Sequence, residues 1–150
     1  MRTNIRVAGI MFKNNKLVTS KMRKKDKSYY VLPGGGVEDH ETIYEAISRE
    51  IMEELNVKIT KLKLVYIKEL KIKDKGRGIE FYFYIEEYSG ELKKGFDPEI
   101  KETIFEDIAF LNLNELTNVA FYPIQLIDLL EKDKKTNFNE LKYLGLHNYP

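Results

Sequence analysis

Glu50, Glu53 and Glu54 stand close together in one short run, with Arg49 directly before them. In a helix, carboxylates three and four residues apart repel each other by a few tenths of a kcal/mol. A hard divalent cation reverses that sign, because Mg²⁺ prefers oxygen ligands and binds through a few carboxylates together with substrate phosphates. The chemistry this suggests is metal-assisted attack on a phosphate. Arg49 lies four residues before Glu53, the right spacing for an ion pair that orients it.

Placement on the helix decides whether these charges are only a solvated face. At about 100° per residue with Arg49 at zero, Glu53 falls near 40°, Glu50 near 100° and Glu54 near 140°. The isoleucine stripe of Ile43, Ile47 and Ile51 spans roughly 120° to 200° on the same scale. The carboxylates thus sit at the edge of the buried face, where a carboxylate needs a partner or its pKa rises. Gly34-Gly35-Gly36 comes shortly before, and glycine lets backbone approach a ligand or metal closely. Asn56 follows the last helical residue, where a left-handed cap is expected and Asn is second only to Gly.

The elements that must carry these residues can be traced along the chain. Val7 to Phe12 and Leu17 to Met22 read as strands joined at Asn14-Asn15, a turn pair that tolerates positive φ. A basic stretch follows from Lys21 to Lys27, then a short strand from Tyr29 to Leu32, stopped by Pro33 and the glycines. From about Glu41 to Leu55 apolar residues recur at helical spacing. Lys58 to Ile72 reads as one long or bulged strand, broken at 74–78. In the segment from Ile79 to Tyr88, Ile79, Phe81, Phe83 and Ile85 share one face and Glu80, Tyr82, Tyr84 and Glu86 the other. A polar loop from Ser89 to Lys101 leads to a strand from Ile104 to Leu111. A last helix starts near Pro123 and stops at the lysines 132–135. Strands mixed with two main helices predict an α/β or α+β sandwich.

The chain has 150 residues, 43% hydrophobic and 33% charged, which predicts one globular domain rather than a disordered chain. A net charge of +1 argues neither for nor against a nucleic-acid partner. No cysteine is present, which excludes disulfides, thiolate catalysis and cysteine-type zinc sites. His40 and His147 are the only histidines, too few for a histidine-rich metal site. No apolar run approaches the ~18 residues of a membrane span. The N-terminus lacks a signal-peptide cleavage pattern. The expectation is a cytoplasmic protein without a membrane partner.

Read as a pattern, Gly35-x5-Glu41-x7-Arg49-Glu50-Ile51-x-Glu53-Glu54-x-Asn56-Val57 resembles the signature of the Nudix hydrolases. One defined position departs: the family has glycine where this chain has Asn56, a helix-end position that carries no ligand. The resemblance implies an α/β/α sandwich around a mixed sheet. It also implies Mg²⁺- or Mn²⁺-dependent hydrolysis of a nucleoside diphosphate linked to another group. By the same resemblance, Glu50, Glu53 and Glu54 hold metal together with the Gly34 or Gly35 carbonyl, Arg49 orients the glutamates, and Glu41 stabilises the loop–helix structure. The general base is then Glu53, Glu54 or a downstream carboxylate: Asp97, Glu99, Glu102 or Glu106.

Other signals are weaker. Lys21 and Arg23 are candidates for gathering substrate phosphate, with Glu102 as a further substrate-site residue, although a basic run is commonly a solvated loop. Tyr29, Tyr30, Tyr82 and Tyr84 can stack on a base, but aromatic strand residues mostly pack. His40 reads as a surface loop residue. Lys73 stands where some ADP-ribose hydrolases of the family have proline, and Tyr66 comes too early for the tyrosine of dinucleoside-polyphosphate hydrolases. Elimination leaves a nucleoside triphosphate, a related nucleotide or a nucleotide sugar as substrate. The alternatives are a Nudix-fold module that binds nucleotide without hydrolysing it, and a hydrolase of ADP-ribose or a nucleotide sugar. The predicted partner is a small-molecule nucleotide, with nucleic acid not expected. The segment from Phe138 to Pro150 is free to dock on the body or at a homodimer interface.

Overall fold

Two sheets and two main helices are built from the described residues, 3–95 and 103–149, of a computed structural model. The first sheet contains β1 (Thr3–Ile10), β5 (Gly34–Gly36), β6 (Lys58–Ile72), β7 (Gly76–Ser89) and β10 (Lys142–Tyr149), in the order β10-β6-β7-β1-β5. It is mixed: β1 runs parallel to β7, and β10 parallel to β6, while β6–β7 and β1–β5 are antiparallel. The second sheet joins β2 (Phe12–Lys13), β3 (Lys16–Lys24), β4 (Lys27–Val31) and β9 (Phe121–Tyr122), with β8 (Thr103–Leu111) on the other side of β3. Helices α1 (Ile43–Leu55) and α2 (Ile127–Lys135) complete the layers. This is the α/β sandwich that the sequence predicts, with its strands divided between two sheets.

Both faces of the first sheet are covered, so its central strand β7 buries Phe83 and Ile85 on one side and Tyr82 on the other. Ile47, Ile51 and Leu55 of α1 pack with Val7, Phe83 and Ile85 on one face. On the other, Tyr66, Tyr82 and Ile10 pack with Leu126, Leu130 and Phe138. Each such fully buried side chain contributes about 1.5–3 kcal/mol. The long strand β6 is bulged, with register shifts against β7 between Ile59 and Lys61 and between Leu64 and Tyr66. Asn14 and Asn15 both take positive φ, 51° and 65°, in the β2–β3 turn.

Three details refine the sequence reading. The glycines that stop the preceding strand in the sequence form a short edge strand of their own, because β1 supplies a pairing partner for them. The first helix begins at Ile43 behind the N-cap Thr42, so Glu41 lies before the helix. Residues Lys142–Tyr149 dock on the body as β10, beside β6. A buried Asp133 holds that strand down, accepting hydrogen bonds from the Tyr66 hydroxyl and from Lys142 Nζ, the latter at 2.6 Å. Burial and the Asp133 hydrogen bond push the Tyr66 hydroxyl pKa well up. No helix among the described residues is long and apolar enough to cross a membrane.

Candidate active site

Local sequence sets the geometry of α1 at both ends. Thr42 and Glu45 form a capping box: Glu45 N–H donates to Thr42 Oγ1 at 3.1 Å, and Thr42 N–H donates to Glu45 Oε1 at 2.9 Å. At the other end Asn56 takes the left-handed cap conformation, φ 63° and ψ 28°. Its N–H donates to the Met52 carbonyl. The loop after β7 closes over the same turn, with Lys93 N–H on the Leu55 carbonyl and Gly95 N–H on that of Glu54. A Cβ at Gly95 would sit 1.8 Å from the Glu53 carbonyl oxygen, so only glycine fits this contact. Sequence reasoning missed Gly95, whose one signal was a glycine inside a charged loop.

Arg49 is the hub of the site. Its Nε and Nη2 grip Glu41 Oε2 and Oε1 at 3.1 and 2.6 Å, and Nη2 also donates to the Gly36 carbonyl at 3.0 Å. Its Nη1 donates to Glu50 Oε1 at 2.9 Å and to Glu53 Oε2 at 3.3 Å. The planar fork of the guanidinium permits this, and a lysine could not reproduce it. The hydrogen bond from Arg49 pulls the Glu41 pKa down from 4.5 to about 2. Reciprocally, Glu41 holds the Arg49 pKa above its ordinary value.

The three glutamates lie along the glycine strand. Glu50 and Glu54 are buried, and Glu53 is half-buried, as the angular placement on the helix predicts. Glu54 Oε2 accepts from the Gly34 N–H at 2.9 Å. Glu50 rests on Gly35, where a Cβ would lie 2.4 Å from its Oε1. A Cβ on Gly34 would meet the Val7 carbonyl oxygen at 2.0 Å. Glycine at both positions is therefore a matter of space.

Charge bookkeeping shows what the site wants. Glu41, Glu50, Glu53 and Glu54 bring four carboxylates together around the one guanidinium of Arg49 and the Gly34 N–H. All-oxygen donors of this kind suit Mg²⁺ or Mn²⁺. The donor chemistry fits such an ion, but the side chains are not folded around one. Among the described residues no three His, Cys, Asp or Glu groups are arranged to hold a metal, because Glu50 and Glu53 turn to Arg49 and Glu54 turns to the Gly34 N–H.

The other predicted residues fall elsewhere. Glu106 lies on β8 and pairs with Lys21 at 3.6 Å and Arg23 at 3.0 Å, so these cations of β3 are engaged by an acid of the neighbouring strand. Asp97, Glu99 and Glu102 lie outside the described residues. Tyr82 and Tyr84 are packing residues, Tyr82 with its hydroxyl on Glu80 at 2.6 Å and Tyr84 4.4 Å from the Phe138 ring. Lys68 was not singled out, yet it is buried between Glu80 at 3.2 Å and Gln125 at 3.4 Å. Nothing in the lysine-rich pattern of β6 distinguished it from Lys61 and Lys63.

Comparison with known proteins bears on the family and the fold. A family model for the NUDIX domain matches residues 3–132. An ADP-ribose pyrophosphatase of Methanocaldococcus jannaschii is 37% identical over 120 residues, 78% of this chain and 66% of that protein, so the match spans just under two-thirds of the relative. An 8-oxo-dGTP diphosphatase of Buchnera aphidicola is 30% identical over 133 residues, covering 82% of this chain and 93% of that protein. In fold, the MutT protein of Bacillus halodurans superposes with a TM-score of 0.73 at 21% identity, covering 98% of this chain and 91% of that one. The match of nearly the whole chain to the family model, on a fold that brings Arg49 and the glutamates against a glycine strand, makes this protein a member of the Nudix family.

Proposed function

We propose that the chain is a divalent-metal-dependent pyrophosphohydrolase of a nucleoside diphosphate linked to another moiety, with a nucleoside triphosphate or related nucleotide as substrate. The observation that carries this reading is the Arg49 hub, which holds Glu41, Glu50, Glu53 and the Gly36 carbonyl in one array. Such an array gathers the carboxylates beside the glycine strand before any ligand arrives, and a metal would draw Glu50 and Glu53 part-way off Arg49. The names of the two relatives, a pyrophosphatase and a diphosphatase, support a substrate with a phosphoric anhydride.

In this reading Glu50, Glu53 and Glu54 hold Mg²⁺ or Mn²⁺ together with a glycine carbonyl. Gly35 lies in the hydrogen-bonded pair with Val7, between the Gly9–Pro33 and Ile5–Val37 bonds. Gly34 lies in the non-hydrogen-bonded pair with Ala8 and turns its N–H to Glu54, so the Gly34 carbonyl is the freer of the two. When bound, the metal lowers the pKa of water and neutralises charge on the pyrophosphate oxygens. Water attacks phosphorus and the P–O–P bridge breaks, giving a nucleoside monophosphate and pyrophosphate from a triphosphate. A carboxylate takes the water proton, and Glu53 and Glu54 are the candidates on the helix. Arg49 keeps the glutamates aimed, and Glu41 keeps Arg49 in place.

The test is a Mg²⁺-dependent screen over triphosphates, oxidised triphosphates, ADP-ribose, nucleotide sugars and dinucleoside polyphosphates, with products identified. Glu53→Gln and Glu54→Gln should each lower kcat by roughly 10²–10⁴-fold while the circular dichroism spectrum stays native. Full activity in either variant would remove that glutamate from the mechanism. No hydrolysis across the panel would favour a nucleotide-binding module instead.

A further inference from the structure

The hairpin between β3 and β4 carries a feature that the glutamate site does not use. Its turn places Lys25 at φ 58°, in the left-handed region. Such a position costs an ordinary residue about 1–2 kcal/mol and is usually given to Asn, Asp or Gly. This chain does give it to asparagines in the neighbouring β2–β3 hairpin, at Asn14 and Asn15. A lysine in a disfavoured conformation at an exposed tip points from strain toward function.

Beside that lysine lies a cavity of about 370 Å³, lined by Lys24, Lys25, Lys27, Tyr29, Ala120 and Tyr122, with Asp26 as its single acid. It is an open surface hollow with room for a small molecule. Among the described residues no carboxylate pairs with Lys25 or Lys27, whereas Lys21 and Arg23 further down β3 are both taken by Glu106. Lys25 and Lys27 are therefore the cations of this stretch that stay available. The cavity also has an aromatic wall. Tyr29 and Tyr122 meet edge to face, with centroids 6.1 Å apart and planes at 72°. Tyr122 remains 51% exposed, leaving ring surface for a further group. The wall is fixed by the Tyr30 N–H on the Ala120 carbonyl at 2.8 Å and by the buried Phe121 paired with Tyr30.

Adjacent cations and an open aromatic face are complementary to phosphate and base together. We infer that this cavity is a second nucleotide-binding site, in which Lys25 and Lys27 take a phosphate and Tyr122 stacks on the base. Strand β4 runs from the cavity toward the glycine strand, and Gly34 lies five positions after Tyr29, a span of at most about 18 Å. The ligand is thus either the far half of an extended substrate, which rests on the proposed hydrolase activity, or a separate nucleotide.

The experiment uses the full chain, with AMP as probe and amide chemical shifts as readout, so it does not depend on turnover. AMP should shift the amides from Lys25 to Tyr29 and that of Tyr122, and this should persist in Glu53→Gln. Lys25→Asn with Lys27→Ser, and separately Tyr122→Ala, should each weaken that binding roughly tenfold. Lys25→Asn suits the turn, so a native spectrum is expected. No shift of these amides at millimolar AMP, or shifts unchanged in both variants, would overturn the inference. A rise in KM for diadenosine tetraphosphate but not ATP in the lysine variant would assign the site to the far half of the substrate. Unchanged KM for both, with AMP binding lost, would assign it to a separate nucleotide.

Discussion

At the scale of single residues, the site rests on two contacts whose removal has opposite consequences for fold and function. Glu41 binds before α1 and is held ionised by Arg49, with a pKa lowered from 4.5 to about 2. Because the folded-state value is depressed, the stabilisation is fully present above pH 4.5 and is lost as pH falls toward 2. Glu41→Gln should therefore lower stability at neutral pH by about 1.5–3 kcal/mol and flatten the acid limb of a urea-denaturation profile taken across that window. Gly35→Ala acts differently, because its new methyl group meets the flexible end of Glu50 rather than backbone. The fold should survive while Glu50 swings away, and titration calorimetry should find Mg²⁺ binding weakened by roughly 10–100-fold. A wild-type affinity in that variant would show that Glu50 needs no contact with the glycine strand.

At the scale of elements, α1 is a positioned rod whose two caps fix the rotation and height of the glutamates. Thr42→Ala should cost about 1 kcal/mol, read from thermal or urea unfolding, because it opens the capping box. Asn56→Gly should change stability little and Asn56→Ala should cost about 1 kcal/mol, since only the second burdens a left-handed residue with poor tolerance for it. The helix, its buried stripe and the edge placement of the carboxylates were legible in the sequence, because a 3.6-residue period states which side faces the core. The Arg49–Glu53 pair was legible for the same reason. Less visible was the grip of Arg49 on Glu41 and Gly36, which joins residues from outside the helix and depends on where β5 lies. The glycines read only as a strand stop, because nothing local reveals that Val7 waits to pair with Gly35. The burial of Lys68 was hidden for a similar reason, since its partner Gln125 is distant in sequence.

At the scale of the whole molecule, β10 lies beyond the end of the family match at residue 132 and is fastened to the body by a few groups. Asp133 takes hydrogen bonds from both Tyr66 and Lys142, and Phe138 is buried against Tyr66 and Tyr84. Phe138→Ala should cost about 3–5 kcal/mol in urea unfolding, and a cost below 1 kcal/mol would mean that the segment is not part of the core. The row of pairings Asn148–Lys71–Arg77–Thr3 crosses four strands of the first sheet side by side. Thr3 and Asn148 are thus separated across the sheet, by about 14 Å, rather than along it. Tension applied between them in an optical trap would load the inter-strand hydrogen bonds one pair at a time, as in opening a zipper, instead of shearing them together. Since β10 has one neighbour and β1 has two, β10 should peel from β6 first and halt near Lys142, where Asp133 holds the strand. The glutamate helix, which packs on a face of the sheet and does not touch β10 in its main contacts, would still be intact when the first slack appears.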